Sequence, residues 1–170
     1  MTYAGVPINK IGADLQKRDK MLFVFEMMRQ LIPALQKVHN MGFSHGDIKH
    51  ENICVRVDSN GKLKFTLIDF GICSALPKLG LNTVNKRFRG NLNFASPEHI
   101  IIKRATRIDD LYSLVCVAYK FVFLLLPWEE YLKKEFDKNG DDNIFSMKEV
   151  TFTRIKKMQR FENELIRKGN

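Results

Sequence analysis

The chain has 170 residues, 45% of them hydrophobic, which suits one globular domain able to bury roughly two thirds of its unfolded surface and excludes wholesale disorder. Its 28 Lys and Arg against 19 Asp and Glu give a formal net charge of +9, pointing to an acidic partner, acidic protein substrates or nucleic acid, with a solvated basic face as the plain alternative. Cys54, Cys73 and Cys116 are odd in number and lack Cys-x-x-Cys spacing, so they read as reduced thiols of a cytoplasmic or nuclear chain and not as a disulfide framework or zinc finger.

No positively charged start followed by a long apolar run marks a signal peptide. In chain order, Leu22, Phe25, Met28, Ile32, Leu35 and Val38 recur at helical spacing, with Gly42 as the C-cap, which predicts a core-facing helix whose Met and Phe residues pack and carry no chemistry. Ile53 to Val57 reads as a strand, Asp58-Ser59-Asn60-Gly61 as a turn, and the alternation of Leu63, Phe65 and Leu67 as a second strand. The most apolar run, Leu114 to Leu126, is 13 residues long and includes Lys120; a bilayer crossing needs about 20, so it is a buried helix and no membrane is expected. That helix is expected to run from Asp110 to Leu126. Asp137 to Asn143 invites a calcium-loop reading, but Asp142 stands where that loop needs Gly and Lys148 where it needs Glu, so a polar loop before a C-terminal helix is expected. His50 and His99 read as surface or packing residues and not as ligands.

Three short blocks carry the chemistry. Ser44-His45-Gly46-Asp47-Ile48-Lys49-His50-Glu51-Asn52 comes first, Ile68-Asp69-Phe70-Gly71 is next, with Asp69 22 positions after Asp47, and Ser96-Pro97-Glu98 follows. Taken singly, Asp47 could cap a turn and Asn52 could satisfy local backbone donors. Together and in this order, the blocks resemble the catalytic loop, metal-binding turn and Pro-Glu anchor of protein kinases.

The resemblance implies a mainly α chain with a small β-hairpin, a protein kinase-like fold of which only the C-lobe is present. It covers residues 1 to 170 as one partial domain, from the hinge through the activation segment to the central helix and the helix after it. Phosphoryl transfer is mostly positioning and charge neutralisation. By resemblance, Asp47 orients or deprotonates the substrate hydroxyl and Lys49 steadies the transferring phosphate. Asn52 and Asp69 hold Mg²⁺, and with Gly71 they form the binding site for ATP. Lys49 implies Ser/Thr substrates.

His-Gly-Asp-Ile-Lys, the stretch Arg107 to Ser113 and Leu126-Pro127-Trp128 are similar to the vaccinia-related kinases and to casein kinase I. Gly46 stands where the usual Arg would bind a phosphorylated activation loop, so no such switch is expected. Asn91 replaces a Thr that bridges the catalytic Asp and Lys, and Asn93 replaces an Arg that reads phosphate on primed substrates. His45 and Phe70 are expected to stack, and Asp110 to accept hydrogen bonds from the catalytic loop, with simple N-capping as its alternative. Glu98 implies an ion pair with a later Arg that has no counterpart here, leaving a buried, destabilising carboxylate.

Among the 44 residues ahead of His45 there is no Gly-x-Gly-x-x-Gly and no Val-Ala-x-Lys. Met1 to Pro7 looks like the hinge, so the N-lobe is expected to be missing, and so are the last C-lobe helices after Lys168. Turnover by this chain alone is therefore expected to be weak or absent. Two readings stand: a Ser/Thr kinase acting on a protein substrate, its missing lobe supplied by a protein partner, or a truncated pseudokinase serving as a protein-binding scaffold. Nucleic-acid binding is disfavoured because aromatic residues do not interleave the basic clusters.

Overall fold

The computed structural model describes residues 4–12, 15–76 and 87–129. The chain divides into two compact units, Met1–Leu124 and Leu125–Asn170. Within the second, the described residues form one turn in which Leu126 N–H donates to Glu129 Oε2 at 3.0 Å and Glu129 N–H to the Leu126 carbonyl at 3.0 Å. The calcium-loop and C-terminal helix expectations fall on residues outside those described.

The first unit runs β1 (Val6–Pro7), α1 (Lys17–Asn40), β2 (Phe43–Ser44), β3 (Ile53–Val57), β4 (Leu63–Leu67), β5 (Ser74–Ala75), α2 (Pro97–Ile102) and α3 (Arg107–Phe123). The expected hairpin is present with the expected bounds, β3 pairing antiparallel with β4 from Ile53↔Leu67 to Val57↔Leu63. Its turn closes because Asp58 Oδ1 accepts the N–H groups of Asn60 and Lys62 at 2.9 and 3.0 Å, while Gly61 takes a φ of +73°. A third strand was not read from the sequence: β1 adds to β3 antiparallel, Val6 opposite Val55. β2 and β5 pair in a sheet of their own.

The long helix forms, but its core face differs from the expected one. Phe23, Met27, Leu31, Leu35 and His39, a strict four-residue step, are buried, whereas Leu22 is 61% and Phe25 70% exposed and Ile32 is exposed as well. Residues 21 to 28 are apolar almost all around the helix, so periodicity alone could not set its phase. Tertiary contact sets it: Phe23 stacks on Phe121 of α3 at 4.7 Å and meets Phe65 of β4 edge-on at 5.0 Å. Burial of one such aromatic side chain contributes roughly 1.5–3 kcal/mol.

α3 starts earlier than Asp110 and stops before Leu126. Thr106 is its N-cap in a reciprocal capping box with Asp109, and Leu124, at φ +71°, ends it ahead of Pro127. The N-capping alternative for Asp110 is thereby removed. Buried Ile48, Ile53, Leu114 and Val117 join the inner face of α1 in one core. Among the described residues no helix is long and apolar enough to cross a membrane.

Candidate functional site

The loop between β2 and β3 is fixed from three sides. At its start, Ser44 pairs with Ser74 of β5, and its hydroxyl donates to the Ala105 carbonyl at 3.0 Å. Beneath it, Asp110 Oδ2 accepts the His45 N–H at 2.8 Å and Asp110 Oδ1 the Gly46 N–H at 2.9 Å, as the resemblance implied. At its end, the Asn52 carbonyl accepts the Ile68 N–H at 2.9 Å, tying the loop to the residue before Asp69.

His45 links the same two segments through its side chain. Its Nδ1 accepts the Asp47 N–H at 3.2 Å, which leaves Nε2 to donate to the Ile68 carbonyl at 3.1 Å. That is the neutral imidazole, and burial accordingly lowers the His45 pKa below its ordinary 6.5, overriding the opposing pull of Asp110, Asp47 and Asp69. The expected contact with Phe70 is present, ring centroids 4.7 Å apart.

Asp47, Lys49 and Asn52 converge on one carboxylate. Lys49 Nζ lies 2.7 Å from Asp47 Oδ2, and Asn52 Nδ2 donates to the same oxygen at 3.1 Å and to the Asp47 carbonyl at 2.9 Å. The bond to Asp47 raises the Lys49 pKa above 10.5, so Lys49 stays cationic. Asp47 Oδ1 differs from its twin: it is buried and has no hydrogen-bond partner among the described residues. A buried carboxylate oxygen left bare costs free energy, of the order of 1–3 kcal/mol, unless another group completes it.

Asp69 is exposed, at φ +62°, and its Oδ1 accepts the Gly71 N–H at 3.2 Å. A side chain at Gly71 would press a Cβ to 3.1 Å from that oxygen. Among the described residues no hydrogen bond joins Asp69 to Asp47 or Asn52, though its charge reaches Lys49 and His45. No group of three or more His, Cys, Asp or Glu among the described residues could hold a metal ion unaided. Mg²⁺, however, is ordinarily held by one or two carboxylates together with substrate phosphates. Asn52 Oδ1 and the carboxylate of Asp69 are hard oxygen donors of that kind, so the residues fit such an ion.

Asn91, which stands in place of the family's bridging Thr, accepts the Asn93 N–H on its Oδ1 at 2.9 Å, and Lys49 bonds Asp47 directly. One expectation needs correction. Glu98 is exposed on α2, so it imposes no buried charge. His50 and His99 are both buried packing residues: His50 bonds the Val117 carbonyl at 3.1 Å, and His99 packs on Phe88 at 4.9 Å.

Sequence reasoning missed His39, whose Nε2 lies 2.8 Å from Asp110 Oδ2. It also missed Ser96, which accepts the His99 N–H to cap α2 and donates to buried Asp109. His39 continues the four-residue step from Phe23 and would have been found with the correct helix phase. Thr106-x-x-Asp109 and Ser96-Pro97 are capping signatures readable from spacing alone.

A family model described as protein kinase domain matches residues 16–168. The chain therefore belongs to the protein kinase domain family. It is 37% identical over 103 residues to maternal embryonic leucine zipper kinase of Danio rerio, covering 60% of this chain and 14% of that protein. It is 39% identical over 99 residues to serine/threonine-protein kinase PknE of Mycobacterium tuberculosis, covering 55% and 16%. It is 35% identical over 126 residues to casein kinase 1-like protein HD16 of Oryza sativa subsp. japonica, covering 68% and 16%. The chain spans less than a quarter of the length of these relatives.

Proposed function

We propose that this chain is the C-lobe of a Ser/Thr protein kinase of the casein kinase I and vaccinia-related group, which transfers the terminal phosphate of ATP to a protein hydroxyl. The observation that carries the reading is the asymmetry of Asp47, with one oxygen held by Lys49 and Asn52 and the other buried and bare. Oδ1 is the acceptor for the substrate hydroxyl proton as the substrate oxygen bonds to the terminal phosphorus of ATP and the bond to the ADP leaving group breaks. Lys49 is cationic and placed to neutralise charge on the transferring group. Asn52 and Asp69 would hold Mg²⁺, and a side chain at Gly71 would crowd Asp69 Oδ1. Bound Mg²⁺ supplies charge neutralisation between the phosphates. The rice casein kinase 1-like relative and the Arg107 to Trp128 stretch support the subgroup.

A second reading is a pseudokinase scaffold that binds a protein partner without transfer.

Labelled-phosphate transfer from Mg-ATP to casein and to the chain itself, in the native sequence and in Asp47→Asn, separates the two readings. Slow transfer that falls by about 10²-fold or more in the variant supports the kinase reading. Transfer unchanged in Asp47→Asn overturns the role of Asp47, and no transfer from either folded protein favours the scaffold.

A further inference from the structure

The loop that carries Asp47 is tied to α3 at both of its ends. Asp110 holds the start through the His45 and Gly46 N–H groups, and His50 holds the far end. The partner of His50 Nε2 is the Val117 carbonyl of α3 at 3.1 Å, and a carbonyl only accepts, so Nε2 carries the proton and donates. Val117 is fully buried and His50 is 8% exposed, so water does not stand in for that bond. The same ring meets Phe94 edge-on at 5.2 Å, and the Phe94 carbonyl in turn accepts the Ser113 hydroxyl of α3 at 2.9 Å.

The bond reaches Asp47 through a single turn of backbone. His50, Glu51 and Asn52 form a 3₁₀ turn, closed by the Asn52 N–H on the Lys49 carbonyl at 3.1 Å and followed by the Ile53 N–H on the His50 carbonyl. His50 leaves one end of this turn toward α3. From the other end, Asn52 Nδ2 donates to the Asp47 carbonyl at 2.9 Å and to Asp47 Oδ2 at 3.1 Å. In a turn of three residues, a shift of either side chain's backbone carries the other with it. Packing alone asks for no donor here: an apolar ring fills the space against Phe94 without taking a polar N–H out of water. The imidazole adds direction, because its N–H is aimed at one carbonyl of α3.

We propose that His50 is a positioning residue for Asp47. Its bond to the Val117 carbonyl orients the His50–Asn52 turn, and the turn keeps the Asn52 amide on Asp47 Oδ2, so that Oδ1 remains the open oxygen. The consequence for phosphoryl transfer rests on the kinase reading, whereas the placement of the Asn52 amide is measured without it.

Two substitutions separate donor from packing. His50→Phe keeps a ring against Phe94 and loses the donor; His50→Gln loses the ring and keeps an N–H at the reach of Nε2. The readout is hydrogen exchange of the Asn52 side-chain amide, followed by NMR in the ¹⁵N-labelled full 170-residue chain. His50→Phe is expected to speed this exchange about tenfold or more through local opening of the turn, and His50→Gln to return it to within about threefold of the native rate. Phe23→Leu, in the aromatic cluster of α1, α3 and β4, lowers global stability away from the loop and is expected to leave the exchange unchanged. Thermal melts establish that each variant is folded. The proposal is overturned if His50→Phe exchanges at the native rate, if folded His50→Gln exchanges as fast as His50→Phe, or if Phe23→Leu speeds exchange as much as His50→Phe does. Should His50→Phe fail to fold, His50→Gln decides: exchange at the native rate supports the proposal and fast exchange overturns it. Transfer from Mg-ATP, measured alongside, is expected to fall about tenfold in His50→Phe and to recover in His50→Gln. Absence of transfer from the native chain counts against the kinase reading alone, because the amide is read without turnover.

Discussion

The two carboxylate oxygens of Asp110 divide three partners between them: Oδ1 takes the Gly46 N–H, and Oδ2 takes the His45 N–H and faces His39 Nε2. All three contacts are on segments far away in sequence, α1 and the loop it leads into, so one side chain of α3 locks the approach to Asp47. Asp110 is 1% exposed, so its bonds are not exchanged with water. Asp110→Ala strands two loop N–H groups and the His39 ring, and is expected to lower the unfolding free energy by about 3 kcal/mol or more, read by urea denaturation. A change below about 1 kcal/mol would show that the loop holds its shape without this anchor.

At the scale of elements, the turn before α2 is threaded against the loop that carries Asp47. Gly90 sits at φ +129°, where a Cβ would approach the Gly46 carbonyl oxygen to 2.7 Å and His99 Cε1 to 3.3 Å. Gly46 itself is at φ +77°, so both glycines hold a dihedral that L side chains rarely adopt, and at Gly90 a Cβ also lacks room. Gly90→Ala is expected to cost about 1–3 kcal/mol of stability in urea denaturation, and an unchanged midpoint would rule the close approach out. This contact was not legible in the sequence, because it joins loops whose paths depend on the packing of α2 and α3. What was legible rests on local chemistry: the Asp58 to Gly61 turn and the alternation of Leu63, Phe65 and Leu67 fixed a hairpin to the residue, and the loop motif named Asp47, Lys49 and Asn52 as neighbours. The inward face of α1 was not, because Leu22 and Phe25 are as apolar as Phe23 and only contact with Phe65 and Phe121 distinguishes them. Gln30 shows the same limit: its amide donates to the Leu63 carbonyl at 2.8 Å and accepts the Phe65 N–H at 3.1 Å, completing the open edge of β4 from 33 residues away.

For the molecule as a whole, a basic chain with buried neutral imidazoles should be sensitive to mild acid. Burial lowers the pKa of both His45 and His99 below 6.5, with the carboxylates of Asp109, Asp110 and Asp47 only partly opposing it. As pH falls through 6.5 the unfolded chain takes up protons on these two side chains before the folded chain does. The unfolded state then binds more protons, so stability rises with pH across this window and falls on acidification. Protonation of His45 would also take the lone pair that accepts the Asp47 N–H and add positive charge to a chain already at +9. The depressed carboxylates act lower: Glu26, held at about 2 by its hydrogen bond from Arg29, and Asp58, lowered by the Lys62 N–H, lose their contribution only below their ordinary values of 4.5 and 3.8. Between pH 7 and 5 the slope therefore belongs to the histidines, at most about 1.4 kcal/mol per pH unit for each. Urea midpoints across that range are expected to fall with pH in the native chain and to fall less steeply in His99→Gln. A native chain whose midpoint stays level or rises from pH 7 to 5 would mean that His45 and His99 are protonated in the folded state, contrary to the hydrogen bonds that His45 makes with Asp47 and Ile68.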